Sequence, residues 1–362
     1  MCGHYRGIPA GIWRGHICAK YIGFISQVSH CNETKKYQMT LNKKIQHLLI
    51  LLAASTSFCL AQEQSSYERA PRNILDVMPP GERIQGEPGA MRIIDRSCRE
   101  YPLDQVRERI VKISEQEWTF FGQNVIDMTR QEELDRNNGR LRRFWRTNWM
   151  DEEQASRLAD DVAGYWAAAP DSSWILNKQN QRWNELGITA RWRDFWSAAF
   201  ISWVMCESGL GNPEQFQRAI AHHTYIDQAI RARDGLEPKA AYTAYDIGEQ
   251  EILPGDMLCR GSRPEYRSLA ERRPHMGDGA RTHCDVVIEV DAADNLIKVI
   301  GGNVRGSVRM KYLPAKQADS GLITPVSYGG RMLFSHLKLN TSSYLAEHEE
   351  VAVARDDAAT GS

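Results

Sequence analysis

Apolar residues in the first half of the chain recur at helical spacing. From Leu103 onwards most of them stand three or four positions apart, which predicts one amphipathic helix. Its apolar positions are Val106, Ile110, Ile113, Trp118 and Phe121. A second helix is predicted to begin at 151–153 and to end before Pro170. The segment 171–190 has a weaker pattern, which predicts a connection with a short helix around Trp183.

The most apolar helix is predicted to follow Asp194, a candidate N-cap, and to end at Gly209 and Gly211. This register places Ser197 in its first turn. Another helix is predicted from about Pro213 to Arg233.

After Pro254 the pattern changes to short runs typical of strands, separated by turns at 291–295 and 303–306. The predicted strands are Met257–Arg260, Cys284–Val290, Leu296–Ile300, Ser307–Tyr312 and Met332–Leu339. Helices first and antiparallel strands second indicate the α+β class.

The N-terminal region has the features of an export signal. Lys43 and Lys44 precede an apolar run from His47 to Ala61 that is well short of the roughly 20 residues needed to cross a bilayer. We therefore predict a signal peptide at 39–61 and a periplasmic or secreted protein without a transmembrane anchor after cleavage. Residues 1–38 precede that signal, so we interpret them as an overextended start, with Met39 as the initiator.

The remaining chain is divided by its composition. A flexible lead-in is predicted at 62–95, where Pro, Gly, Gln and Glu are frequent, and a disordered tail at 341–362. Between them, a single domain is predicted at 96–340. The 45 basic and 46 acidic residues nearly balance, which argues against a nucleic acid partner. Nothing in the sequence predicts the oligomeric state.

Four cysteines lie beyond the predicted signal peptide, namely Cys98, Cys206, Cys259 and Cys284. Export to an oxidising compartment favours disulfides, and the spacing alone leaves three connectivities open. The cysteines lack metal-ligand spacing. We predict neither a metal nor another cofactor.

Ser197 is the candidate nucleophile. A helix N-terminus favours developing negative charge, but a serine also needs a nearby base to take its proton. His283 at a strand start could be that base, oriented by Asn303 or by Asp285, which lies on the same strand face. The alternative is that Ser197 is only a small residue at a crowded helix start. For the pair His222 and His223 we predict helix packing near the groove, with His223 lining it.

From about 162 to 314 the chain resembles the bacterial DUF2272 family, a branch of the CHAP and NlpC/P60 superfamily of papain-like hydrolases. The motifs that carry this resemblance are Tyr165-Trp166, Trp196-Ser197-Ala198-Ala199-Phe200-Ile201-Ser202, His223-x-Tyr225-Ile226, Pro254-Gly255-Asp256, His283-Cys284-Asp285-Val286-Val287 and Ile300-Gly301-Gly302-Asn303-Val304.

The resemblance implies a papain-like domain in which N-terminal helices precede an antiparallel sheet. Ser197 falls on the usual catalytic cysteine, His283 on the catalytic histidine and Asn303 on the third polar residue. Trp196, His223 and Asp285 would support the site. Neighbouring strands in this superfamily imply a Cys259–Cys284 bond, which leaves Cys98 to pair with Cys206.

The expected function is that of an exported amide or peptide hydrolase acting on peptidoglycan peptides through Ser197, His283 and Asn303. One alternative is an inactive papain-like module that binds cell-wall peptides or a protein partner. Another is an acyl- or lipid-handling member of the same superfamily.

Overall fold

A computed structural model of the chain describes residues 68–130, 133–134, 141–142, 150–326 and 332–340. The predicted N-terminal extension, the signal peptide and the C-terminal tail lie outside these residues. Within them the protein has the predicted α+β organisation, with most helices before the main sheet.

Helices form most of the first half of the described chain. They are α1 (Leu103–Phe120), α2 (Glu152–Arg157), α3 (Ala159–Ala168), α4 (Ser173–Leu186) and α5 (Ser197–Glu207). Two more helices follow, α6 (His222–Arg233) and α7 (Leu269–Arg272). Short 3-10 helices lie at Pro80–Arg83, Gly187–Ala190 and Arg273–His275. None of the helices in the described ranges is both long and apolar enough to cross a membrane.

The strands form one large, mainly antiparallel sheet and two small hairpins. The strands are β1 (Ile84–Gln85), β2 (Arg92–Ile93), β3 (Val125–Asp127), β4 (Glu133–Leu134), β5 (Leu141–Arg142), β6 (Tyr242–Tyr245), β7 (Met257–Arg263), β8 (Arg281–Asp291), β9 (Leu296–Val304), β10 (Ser307–Gln317), β11 (Ile323–Pro325) and β12 (Leu333–Leu339). The large sheet has the order β11-β10-β9-β8-β7-β12-β6, and β3 pairs with β10 in parallel. The hairpins are β1-β2 and β4-β5.

The central helix α5 is buried on every side, as expected for a helix that is apolar all round. It packs closely against β9. A Cβ added at Gly302 would lie 2.5 Å from the Cβ of Phe200, so glycine is what allows this approach. The tight packing fixes the N-terminus of α5, and therefore Ser197, relative to the sheet.

Asp194 is not the N-cap of α5. Trp196 holds that position without a side-chain capping bond, and Asp194 forms ion pairs with Lys178 at 2.9 Å and Arg182 at 2.8 Å. The cap prediction is therefore wrong, because two basic residues of α4 compete for the carboxylate.

Three predicted helical segments have different bounds. The segment 171–190 contains the 14-residue helix α4 rather than a short helix. Its buried face includes Gln179, whose amide donates to the Arg191 carbonyl at 2.5 Å, and this polar residue interrupts the apolar pattern. Helix α6 begins only at His222. The chain before it is held against α5, because the Ser202 hydroxyl donates to the Ala219 carbonyl at 2.9 Å. The second predicted helix is divided into α2 and α3 at Leu158.

The segment 68–95 is folded, so its described part is not a flexible lead-in. Val77 and Met91 are buried, and Arg83 is only 1% exposed. Arg83 pairs with the buried carboxylate of Glu207 at the end of α5 and donates to the Ser97 carbonyl at 2.8 Å. The composition of this segment did not indicate that it is folded, because its anchor, Arg83, is a charged residue whose partner is distant in sequence.

Both predicted disulfides are present. Cys98 is bonded to Cys206 with a Cα–Cα distance of 4.7 Å, and Cys259 is bonded to Cys284 with a distance of 4.1 Å. The second pair lies directly opposite on β7 and β8. The first ties the segment before α1 to the end of α5.

Candidate functional site

A cleft of about 680 Å³ opens at the N-terminus of α5. Ser197, His222, His283 and Asn303 all line it. The cleft therefore contains three residues that the sequence nominated for catalysis, together with one histidine that it did not.

The direct partner of Ser197 is His222, the first residue of α6. The Ser197 Oγ lies 2.6 Å from the His222 Nε2, and the two residues are 9% and 3% exposed. From the sequence, His222 was predicted to have only a packing role. The signal that could have found it is Tyr225 three positions later on the same helix face, since the Tyr225 hydroxyl contacts the His222 Nδ1.

The backbone of β8 determines the tautomer of His222. Cys259 and Cys284 form a narrow antiparallel pair, so the Cys284 N–H points away from β7 and needs another acceptor. It donates to the His222 Nδ1 at 3.3 Å. A neutral imidazole that accepts at Nδ1 carries its proton on Nε2. We conclude that His222 donates its Nε2–H to the Ser197 Oγ.

His283 is held by Asp285 and not by Asn303. The His283 Nε2 lies 2.9 Å from the Asp285 Oδ1, and the Lys311 Nζ donates to the other carboxylate oxygen at 2.6 Å. Asn303 lies at the cleft with a φ of 54°, and among the described residues it forms no hydrogen bond with His283. The sequence left two candidates for the residue that orients His283, Asn303 and Asp285. The structure brings Asp285 into contact with His283.

The alternation of side-chain directions along β8 and β9 explains why Ser197 contacts His222 rather than His283. Gly302 faces Phe200 of α5, whereas a Cβ on Gly301 would lie 1.9 Å from the Asp285 Oδ1. His283 and Asp285 therefore belong to the sheet face opposite α5. The rings of His283 and His222 approach to 5.2 Å where β8 extends beyond its pairing with β9.

Burial leaves His283 neutral and able to accept a proton. Burial lowers the pKa of His283 to about 4, with a further lowering by Lys311 and an opposing effect of Asp285. Burial alone would raise the pKa of Asp285, but His283 and Lys311 hold it well below its usual range. Since the ionised Asp285 accepts from Nε2–H, the proton-free nitrogen is Nδ1.

His222 is also neutral, for a related reason. Complete burial lowers its pKa well below the usual range, and the neighbouring His283 adds to that effect. The two imidazoles therefore differ in their tautomers rather than in their charges. His222 presents an N–H to Ser197, while His283 has a free lone pair on Nδ1.

Two supporting residues of the sequence prediction lie elsewhere. His223 accepts weakly from the Ala280 N–H at 3.5 Å and is not among the described residues that line the cleft. Trp196 is buried and stacks on Tyr165 at a ring distance of 5.5 Å. His222 thus takes the place predicted for His223, and Trp196 packs in the core.

Within the described ranges, no group of three or more His, Cys, Asp or Glu side chains could hold a metal ion.

Asp256 of the Pro-Gly-Asp motif is buried, pairs with Arg107 at 2.9 Å and lies 2.8 Å from the His336 Nε2. Its role is to connect α1, β7 and β12.

Comparison with known proteins gives one family. No curated protein and no solved structure matches the chain significantly. The model of the family DUF2272, described as an uncharacterized protein conserved in bacteria, matches residues 153–332. This range contains Ser197, both cleft histidines and Asp285. Residues 153–332 of the chain therefore match the DUF2272 family.

Proposed function

We propose that this protein is an exported, papain-like hydrolase that cleaves amide bonds in peptidoglycan peptides. The observation that carries the proposal is Ser197 at an open cleft, hydrogen-bonded to His222 at 2.6 Å, with the His283 ring 5.2 Å from that of His222 and held by Asp285. The exported location rests on the predicted signal at 39–61. The peptidoglycan substrate rests on the resemblance to CHAP and NlpC/P60 hydrolases.

In the proposed reaction, the Ser197 Oγ attacks the scissile carbonyl carbon. Its proton passes to the His283 Nδ1, directly or through one water molecule. The positive charge that forms on His283 is balanced by Asp285. When the C–N bond breaks, His283 returns the proton to the leaving amine, and water then hydrolyses the acyl-serine ester.

His222 and the start of α5 would stabilise negative charge in this reaction. The Nε2–H of His222 favours the alkoxide character of Ser197 because it is already directed at Oγ. The unpaired backbone N–H groups of the first turn of α5 would supply donors for the oxyanion. Serine needs this assistance more than cysteine does, because its hydroxyl ionises far less readily.

The test of the function is incubation of the purified protein with murein sacculi, followed by mass spectrometry of the soluble products and labelling of new amino termini. We expect new amine ends from the wild type and from Ser197→Cys, and none from Ser197→Ala. Product release that continues unchanged in Ser197→Ala would remove Ser197 from the mechanism.

A second candidate is a binding module without turnover. It is favoured by the fact that, within the described residues, the Ser197 Oγ forms its hydrogen bond with His222 and none with His283. In that case the Ser197 proton would lack a base in contact. Retention of the protein on sacculi without any new amine ends would support this second function over the first.

The pH dependence of kcat/KM provides a separate test of the base. A general base acts in its neutral form, so activity is lost as the pH falls through its pKa. With the pKa of His283 at about 4, activity should persist well below pH 6.5 and fall near pH 4. Because Lys311 lowers this pKa, Lys311→Met should move the acid limb to higher pH. An acid limb near pH 6.5 in the wild type would contradict the assignment.

A further inference from the structure

Basic residues outnumber acidic ones in the lining of the cleft, although the whole chain is nearly neutral. Among the described residues that line it, four carry positive charge and one carries negative charge. The positive residues are Arg260, Arg281, Arg305 and Lys311. The single acid, Asp194, is paired with Lys178 and Arg182, and Lys311 is paired with Asp285. The excess of positive charge indicates an anionic ligand.

Arg260 is distinguished from the other cations by its surroundings. It is partly buried, and its Nε is fully buried without a hydrogen-bond partner. Within the described part of the chain, Arg260 forms no hydrogen bond and no ion pair. The Arg260 Nε–H has lost water without gaining an acceptor, which is costly, whereas the terminal Nη atoms are not among the buried unpaired atoms and stay open to a ligand.

Arg260 also occupies a defined position beside the candidate base. It lies on β7 directly opposite His283 on β8, so the two side chains project from the same sheet face. Its positive charge contributes to the low pKa of both cleft histidines, after the larger effect of burial. The guanidinium is therefore close to the atoms that the proposed reaction would use.

We propose that Arg260 binds a carboxylate of the substrate next to the scissile bond and so determines specificity. This inference rests on the proposed function, because in a peptide substrate the anionic groups near an amide bond are carboxylates. The planar guanidinium can bind a carboxylate through two parallel hydrogen bonds. Binding through the terminal Nη atoms would give the guanidinium charge a partner and would fix the amide relative to Ser197.

The experiment measures binding in Ser197→Ala, which prevents turnover. The probes are N-acetyl-alanyl-alanine and its C-terminal amide, titrated against the imidazole signals of the protein in NMR. We expect the acid to bind about tenfold or more tightly than the amide, the range for a hydrogen-bonded charge pair. Adding Arg260→Met should abolish the preference, and Arg260→Lys should restore only part of it because lysine lacks the fork.

Arg281→Met is the matched control. Arg281 also lines the cleft but is exposed. Its replacement by methionine removes the same charge from an exposed position. We expect it to leave most of the preference for the acid, since exposed charges are screened. Equal loss of preference in the two Met variants would overturn the assignment to Arg260, as would failure of the acid form to bind or equal binding of acid and amide.

This experiment separates the inference from the hydrolase proposal. If the wild type releases no products but the acid preference depends on Arg260, the subsite is supported and the hydrolytic function is rejected. If sacculi are cleaved but Arg260→Met retains the acid preference, the hydrolytic function stands and the subsite is rejected.

Discussion

Ser197→Ala and His283→Ala are each expected to lower kcat by on the order of 10³-fold or more, and the double variant should lose little beyond the larger single effect. The reason is that a nucleophile and its base act as one unit, so removal of either disables the same step. The measurement is the initial rate of amine release from murein peptides, with folding checked by circular dichroism. Additive losses in the double variant would mean that the two side chains act in different steps.

His222 provides the control that decides which histidine is the base. If its Nε2–H only donates to Ser197, then His222→Gln should retain more activity than His222→Ala, because the glutamine amide can replace the donor. We expect the alanine variant to lose about 10²- to 10³-fold, as for loss of one oxyanion donor. If Gln and Ala are equally inactive while His283→Ala remains active, His222 is the base and the tautomer derived from Cys284 is incorrect.

Arg83→Met is expected to lower the free energy of unfolding by about 3–5 kcal/mol, because it leaves the buried Glu207 carboxylate without its closest partner. The methionine stem fills most of the space, so the loss reports mainly on the charge. Urea denaturation followed by tryptophan fluorescence would measure it.

Arg72→Met is the matched control in the same segment. Arg72 also pairs with a glutamate, Glu82, but both side chains are about half exposed. Its loss should cost about 0–1 kcal/mol, as is usual for surface ion pairs. Similar costs for the two variants would show that 68–95 is not anchored through Arg83.

The α+β class was predictable because it depends on local periodicity. Helix α1 and strands β8, β9 and β10 overlap the predicted segments. Their apolar positions follow the period of the buried face, which is 3.6 residues in a helix and two in a strand. The Cys259–Cys284 bond was also predictable once the two strands were taken as neighbours. Strand β6 and the length of α4 were missed, because the segments that form them give no clear apolar period.

The candidate site was only partly predictable. Ser197 and His283 were nominated from their places in the sequence pattern, and both line the cleft. Asp285 was nominated because residues two apart in a strand share a face, and it contacts His283. The nomination of His223 in place of His222 failed because adjacent positions on a helix differ in direction by about 100°, and sequence alone does not fix which one faces the cleft.

The sequence by itself determined most of the elements and the faces that they bury, because these depend on periods of two or 3.6 residues. Tertiary structure decided the partners. The first residues of β8 extend beyond its pairing with β9, so the Cys284 N–H has no strand partner. That N–H fixes the tautomer of His222 and therefore its role toward Ser197. Arg83 reaches Glu207 across 124 positions, a distance that no local pattern can encode.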